Sequence, residues 1–444
     1  MAATPAFAQP EVEEIIGEIE GMLGGLGGTV DPAGLVTQEL PRVEAAAGMT
    51  ATGPIAAQLI SRADAAAHIR GLFDSQLPPA RRAPMQAAWH AMGLLPRDQT
   101  LEGAVLALYG SQVGGFYDPV RKALFLLSDM PGIVQLPIVR HELVHALQDQ
   151  RFDLQTWLRG AEKDEDAAAA LQAVLEGHAS DVMSRATMST LGLDAAGLEG
   201  LEGLDGLQEE LAELMGGSTD GLDDLLDLGI DGATLDAFIP RDTPAALRAQ
   251  LLFPYVVGTR FVSEYRAAHP EDPACTALYQ RPPRTTAEVL DPRRWESGAQ
   301  APDITPPGTL LPGWERAYAS PLGRLLVWIL LTDQADPFAG DVDGARWSRS
   351  NRDTNVVIGA GWAGDHVAVY RPAASSPGTN APDSWIVAWT ARWGSPEEAS
   401  LVADLLKERT PAALLHRSGA RLDVIFSAPS GVAQPALEAV RSWK

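Results

Sequence analysis

The chain has 444 residues, a hydrophobic content of 46% and a formal net charge of −24. Its length permits two or three domains, and its hydrophobic content is typical of a globular protein with a sizeable core. The acidic balance argues against nucleic-acid binding, because phosphates require a basic surface. The single cysteine, Cys275, excludes a disulfide within the chain. We expect no membrane span, because no apolar run reaches about 18 residues.

Residues 1–28 predict a flexible leader, since residues 9–28 join a short amphipathic segment to paired glycines. The preceding Ala6-Phe7-Ala8 has the small-x-small form of a signal-peptidase site, although no basic region or apolar core precedes it. An alanine-rich chain also shows this form by accident. On the basis of the possible signal-peptidase site, we expect a secreted or periplasmic protein. If the pattern is accidental, a cytoplasmic protein is the alternative.

Residues 35–97 show helical patterns that are broken at proline and glycine, and residues 55–60 are a candidate strand. Residues 114–127 predict a β-hairpin, in which Tyr117-Asp118-Pro119 turns into the apolar run of residues 123–127.

Residues 136–153, LPIVRHELVHALQDQRFD, predict a helix with two distinct faces. Pro137 suits its first turn, and apolar residues at helical spacing form one face. On another face, His141 and His145 lie four residues apart, where two imidazoles can bind one tetrahedral ion. Glu142 then lies beside the ion and can accept a proton from a water molecule. The alternative is a buried helix whose histidines bond to backbone carbonyls.

A catalytic zinc ion requires a third protein ligand and an open fourth position. Glu176 is the candidate, on a predicted helix that starts at the acidic residues 164–166. His178 is a rival, but residues two apart on a helix point about 200° apart, so only one of the two can face the metal. The adjacent Gly177 would let this helix approach the histidine helix closely. An ordinary surface glutamate is the alternative for Glu176.

Asp149 follows His145 by one helical turn. It could accept a hydrogen bond from that imidazole and so fix the tautomer of the ring. A solvent-exposed aspartate is the alternative.

The sequence His141-Glu142-Leu143-Val144-His145, followed by Glu176-Gly177-His178-Ala179, resembles the gluzincin zinc metallopeptidases. More closely, it resembles bacterial proteins that carry H-E-L-x-H-A-L-Q-D-Q before an E-G-x-A helix. The likeness covers roughly residues 55–300. It includes Gly115-Phe116-Tyr117-Asp118-Pro119 and Phe253-Pro254-Tyr255.

The resemblance implies a zincin-like fold, a Zn²⁺ cofactor and a peptide or protein substrate. It also implies that an edge strand of the hairpin at residues 114–127 holds the extended substrate by backbone hydrogen bonds, unless the hairpin is purely structural. Tyr255 would donate a hydrogen bond to the oxyanion of the reaction. The alternative is a tyrosine of the core.

Residues 191–237 form an acidic insertion that departs from the family pattern. Between Arg185 and Arg241 there are thirteen Asp and Glu residues and no Lys or Arg. Such a run is typical of a solvated face, with a calcium site or a basic substrate as the alternatives. Helix is predicted to resume near Thr243 and to include residues 251–265.

Residues 297–319 are rich in proline and predict a linker. Residues 320–444 then predict an α+β module of three strands and three helices, including a helix launched by a capping box at Ser395. His366 and His416 are expected to be structural.

The sequence as a whole predicts a mainly α, α+β protein with a zincin-like catalytic domain at residues 29–296. The predicted activity is a zinc metallopeptidase, a hydrolase in which Glu142 is the general base. The alternative is a non-catalytic, zinc-stabilised binding protein.

Overall fold

The computed structural model describes residues 31–112, 114–130, 132–161, 164–190, 239, 242–298, 300–332, 361–373 and 384–443. These residues form an α+β protein that is mainly helical, as the sequence predicted. The predicted leader and the acidic insertion lie outside the described residues.

The N-terminal part contains helices on both sides of a small sheet. Its elements are α1 (Pro32–Ala47), β1 (Ala56–Ile60), α2 (Arg62–Gln76), α3 (Pro79–Met92), α4 (Leu101–Gln112), β2 (Gly115–Asp118), β3 (Ala123–Leu127), α5 (Gly132–Phe152), α6 (Leu154–Arg159) and α7 (Glu165–Thr190).

After the acidic insertion the chain is helical again. The elements are α8 (Ala245–Phe253), a π-helical turn (Pro254–Gly258), α9 (Thr259–Ala268), α10 (Thr276–Gln280), α11 (Thr286–Leu290) and α12 (Pro292–Ser297).

The predicted hairpin is confirmed, because β2 and β3 pair in antiparallel register with Phe116 opposite Phe125. The candidate strand at residues 55–60 is also confirmed, and β1 pairs with β3 in parallel. The strand order is β1-β3-β2, so β2 is an edge strand. Gly114 accepts a hydrogen bond from Leu127. In an antiparallel pair this register turns the peptide groups of Gly115 and Tyr117 away from β3.

Helix α5 begins earlier than predicted. Pro137 lies inside the helix rather than in its first turn, although proline removes one helical hydrogen bond. Gln135 accounts for the earlier start, because its buried side-chain amide donates to the backbone oxygens of Leu127, at 3.0 Å, and Met130, at 2.9 Å. These bonds tie the beginning of the helix to the end of β3.

Helix α7 starts at the predicted acidic residues. The Asp164 carboxylate accepts a hydrogen bond of 2.9 Å from the Ala167 backbone N–H, which satisfies one of the free donors at the helix start. From Ala170 onward most side chains of this helix are buried, because α5, the π-helical turn and α9 pack against it.

The C-terminal part is built on a second sheet. Its elements are β4 (Trp314–Ser320), α13 (Gly323–Leu331), β5 (Trp362–Pro372), β6 (Ile386–Trp393), α14 (Pro396–Arg409), β7 (Leu414–Ser418), β8 (Arg421–Ser427) and α15 (Ala433–Val440). The capping box at Ser395 is confirmed. The sheet is antiparallel with the order β4-β5-β6-β8-β7, and β4 and β7 were not predicted.

The interval predicted as a linker is partly structured. It contains most of β4, and Ile304 and Leu310 are buried against one face of the five-stranded sheet. On the other face, Trp89 of α3 belongs to the same hydrophobic cluster as Val367 and Trp389 of the sheet. One core therefore runs from the N-terminal helices into the C-terminal sheet.

Asp365 fixes the position of α13 on this sheet. Its buried carboxylate accepts hydrogen bonds from the backbone N–H groups of Leu322 and Gly323, both at 3.0 Å, at the start of the helix. The indole N–H groups of Trp362 and Trp389 donate to the same carboxylate at 3.2 and 2.8 Å.

Across the described residues, no helix combines the length and the apolar character needed to cross a bilayer. This agrees with the expectation of no membrane span.

Candidate metal centre

Three side chains bring metal-ligating atoms together between α5 and α7. Nε2 of His141 lies 3.0 Å from Oε2 of Glu176 and 3.1 Å from Nε2 of His145. Nε2 of His145 lies 3.4 Å from the same Glu176 oxygen. Each of the three side chains is 11% exposed. Among the described residues, this is the group of histidines and carboxylates that could hold a metal ion.

The size of this triangle fits a zinc ion. A tetrahedral zinc ion lies about 2.0–2.1 Å from nitrogen and oxygen ligands, which places those ligands about 3.3 Å from one another. The three separations of 3.0, 3.1 and 3.4 Å are close to that value. Two histidines and one glutamate are also a ligand set of catalytic zinc sites, in which a fourth position stays open.

His145 and Glu176 also shift each other's pKa. Burial lowers the pKa of His145, but the adjacent Glu176 carboxylate outweighs burial and raises it to about 9. Burial raises the pKa of Glu176, yet the charge and hydrogen bonds of the two histidines hold it well below the usual range of a carboxyl group. A positive charge is therefore favoured beside this carboxylate, and a proton and a metal ion would compete for the site.

Nδ1 of His145 contacts Gln148 and not Asp149. Nδ1 of His145 lies 2.8 Å from Oε1 of Gln148. Asp149 is buried but bonds elsewhere: it accepts hydrogen bonds of 2.7 Å from the Tyr117 hydroxyl and from the Lys122 ammonium. The prediction for Asp149 was wrong because a side chain four residues beyond His145 here faces the hairpin, whereas the residue three beyond faces the ring.

Glu176 and His178 point to different neighbours, as the helical geometry requires. Nε2 of Gln172 donates to Oε1 of Glu176 at 2.8 Å and so holds the carboxylate that faces the histidines. His178 is fully buried, and its Nδ1 lies 3.0 Å from the hydroxyl of Tyr279. Of the two rivals for the third ligand, Glu176 is the residue that lies with His141 and His145.

Glu142 lies next to the ligands but outside their group. Its carboxylate is buried, and Oε2 accepts a hydrogen bond of 2.7 Å from the backbone N–H of Tyr117. That N–H belongs to the outward-facing groups of the edge strand β2. The carboxylate is therefore fixed between the metal-ligating residues and the edge of the small sheet.

The side chain of Tyr117 adds a second connection between β2 and α5. Its hydroxyl donates to Asp149, which also receives the Lys122 ammonium. Glu142 and Asp149 are seven residues apart, or about two helical turns, so both lie on the side of α5 that faces the hairpin. These bonds hold the edge strand alongside the metal-ligating helix.

Tyr255 lies near the ligands as well. It is half-buried in the π-helical turn, and the centre of its ring lies 6.1 Å from that of His141. Its role as a hydrogen-bond donor to an oxyanion stays a prediction. π-Helical turns are frequent at functional sites.

Two glycines allow this turn to pack against α7. A Cβ atom at Gly177 would lie 2.3 Å from the carbonyl carbon of Gly258, and one at Gly258 would lie 2.3 Å from the oxygen of Ala173. Gly177 was expected to allow a close approach to the histidine helix. The close approach is instead to the turn that carries Tyr255.

The chain was compared with models of known families, with curated proteins and with solved structures. None of these matches it.

The sequence analysis assigned no role in the site to four of its residues: Tyr117, Gln148, Gln172 and Gly258. Gln148 and Gln172 could have been found, because each lies one helical turn from a ligand. The contacts of Tyr117 and Gly258 join residues far apart in sequence, and no short-range spacing indicates them.

Proposed function

We propose that this chain is a zinc-dependent metallopeptidase that uses Glu142 as its general base. The observation that carries the proposal is the triangle of His141, His145 and Glu176. Glu142 lies beside this triangle but is not one of the metal-ligating residues. A structural zinc site usually has four protein ligands, whereas three ligands and a neighbouring carboxylate suit hydrolysis.

A zinc ion held by His141, His145 and Glu176 would polarise the scissile carbonyl and lower the pKa of the attacking water. Glu142 takes the proton from that water and later delivers it to the leaving amine. The hydrogen bond from Tyr117 N–H keeps the Glu142 carboxylate in one orientation. Tyr255, beside His141, is the proposed donor to the oxyanion.

The proposed substrate is an extended segment of a peptide or protein. Strand β2 is at the edge of its sheet and turns the peptide groups of Gly115 and Tyr117 outward. An extended peptide can add to such an edge through backbone hydrogen bonds. The N–H of Tyr117 already donates to Glu142, so a peptide would use the other outward backbone groups of this edge and would run past the general base.

The test combines metal analysis with digestion of a broad peptide library by the wild type and by Glu142→Gln. We expect the wild type to bind zinc and cleave peptides. Glu142→Gln should keep the fold and the zinc, because the ligands and the side-chain volume are unchanged. It should lose about a hundredfold or more in turnover, because an amide cannot accept the proton.

His145→Ala is the companion variant. It should release zinc and lower the melting temperature, because a bound metal stabilises only the folded state. Full-rate cleavage by Glu142→Gln would overturn the mechanism. A zinc-bound wild type that cleaves no peptide in the library would instead favour a zinc-stabilised binding protein.

A further inference from the structure

Gln148 makes two hydrogen bonds in the centre of the metal-binding region, and both are fully enclosed. Its side chain is buried on α5, three residues after His145. Oε1 lies 2.8 Å from Nδ1 of His145, and Nε2 lies 3.1 Å from the backbone oxygen of Leu175 on α7. Leu175 directly precedes Glu176, so one amide contacts a ligand on α5 and the residue next to a ligand on α7.

The chemistry of these partners determines the direction of each bond. A backbone carbonyl can only accept, so the NH₂ group of Gln148 must face Leu175. Oε1 then faces His145, and Nδ1 of that ring must be the donor. With its proton on Nδ1, a neutral imidazole leaves the lone pair on Nε2, the atom that lies closest to His141 and Glu176.

We propose that Gln148 is the positioning residue of this centre: its amide holds His145 in the Nδ1–H form and ties the helix of Glu176 to the helix of the histidines. The proposal rests on the metal site of the proposed function but not on peptide hydrolysis. Partners of this kind typically change metal affinity by 10–100-fold when they are removed.

The proposed role requires an amide, because an amide can accept a hydrogen bond through its oxygen and donate one through its nitrogen. A carboxylate at position 148 could still accept from Nδ1 but could not donate to Leu175, so the two tasks of the residue can be separated. Gln148→Met removes both bonds in a side chain of similar length, whereas Gln148→Glu keeps an acceptor for Nδ1 of His145 and removes the bond to Leu175.

The chain offers a matched control in Gln150 on the same helix. Its Oε1 accepts from the backbone N–H groups of Thr52 and Gly53 at 2.6 and 3.2 Å, and its Nε2 donates to the oxygen of Gly53 at 3.1 Å. Gln150→Met therefore also removes a glutamine that ties α5 to another segment, but it does not touch His145.

The experiment measures zinc affinity by competition with a chelator and observes the Nδ1–H group of His145 by NMR in the zinc-loaded protein. Gln148→Met should bind zinc about 10–100-fold more weakly and lose the protected Nδ1–H signal. Gln150→Met should match the wild type in both measurements. Gln148→Glu should keep the Nδ1–H signal.

Equal zinc affinity and an unchanged Nδ1–H signal in Gln148→Met would overturn the proposal. Equal losses in Gln148→Met and Gln150→Met would also overturn it, because they would indicate general destabilisation. Should Gln148→Met fail to fold, loss of the Nδ1–H signal in Gln148→Glu would be decisive against it. A wild type that binds zinc but cleaves no peptide would contradict the proposed function and leave this test intact.

Discussion

Glu176 and His178 are two residues apart on α7, and each has a different set of neighbours. Glu176→Ala should abolish stoichiometric zinc binding, because it removes one of three ligands. His178→Ala should retain zinc and lower the free energy of unfolding by about 1–3 kcal/mol, since it leaves the buried Tyr279 hydroxyl without this partner. Metal content after dialysis and thermal unfolding measure the two effects. Zinc retained by Glu176→Ala but lost by His178→Ala would reverse the assignment.

Tyr255 differs from the ligands because its proposed task arises only during the reaction. Tyr255→Phe should leave the fold and the zinc content unchanged, since the ring beside His141 is kept. Loss of one oxyanion donor costs roughly 3 kcal/mol, so kcat should fall about a hundredfold while KM changes little. Steady-state kinetics on a cleaved library peptide check this. An unchanged kcat would assign Tyr255 to packing alone.

Among individual residues, the sequence predicted those whose relative positions depend only on local helical geometry. The spacing of His141, Glu142 and His145 requires only helical geometry, and the same geometry separates Glu176 from His178. Asp149 was assigned wrongly because helical spacing alone does not distinguish between a residue three positions and one four positions from the ring. Packing against the hairpin decides that choice.

Helix α7 and the π-helical turn meet through glycine on both sides, which makes the contact sensitive to a single methyl group. Gly177→Ala places a Cβ 2.3 Å from backbone of the turn, so one element must move. We expect a loss of about 1–3 kcal/mol in the free energy of unfolding and reduced turnover, since the turn carries Tyr255. Denaturant unfolding and kinetics measure these two effects.

Gly71 in α2 is the control for this prediction. Apart from its chain neighbours and the backbone of its own helix, no described atom lies within 4 Å of the Cβ that would be added there, so Gly71→Ala should stabilise the protein by up to about 1 kcal/mol. A Gly177→Ala variant as stable as Gly71→Ala would show that the helix and the turn separate without cost.

The sequence predicted best the helices whose first residues carry a recognisable capping or acidic pattern. The acidic start of α7 and the capping box of α14 are examples. Pro137 misled the prediction of the start of α5, because the tertiary contacts of Gln135 extend the helix past a residue that usually begins one. Strands β4 and β7 were missed because β4 follows a proline-rich segment and β7 is short and only partly buried at the sheet edge.

Among the described residues, a hydrophobic cluster that includes Trp89, Val367 and Trp389 joins the N-terminal helices to the C-terminal sheet. Because this core is shared, we expect the parts on either side of residues 297–319 to unfold together. Differential scanning calorimetry should record one transition whose calorimetric and van't Hoff enthalpies agree. Two separate transitions would support the division into independent domains that the sequence predicted.

The division at residues 297–319 shows what composition cannot indicate. A proline-rich segment of low periodicity is typical of a linker, but Ile304 and Leu310 in it are buried by residues that follow much later in the chain. Such burial depends on the packing partner rather than on the segment itself.

The position of β2 at the edge of its sheet has a consequence for the choice of targets. Under the proposed function, the edge strand forms hydrogen bonds with the backbone of an extended substrate segment. In a helix or in the interior of a sheet, those backbone groups are already hydrogen-bonded within the target's own fold. A compact protein would therefore resist cleavage except where several consecutive residues detach from their neighbours. Susceptibility would follow the local unfolding of the target more than the identity of its side chains, so damaged or incompletely folded chains would be preferred over native ones.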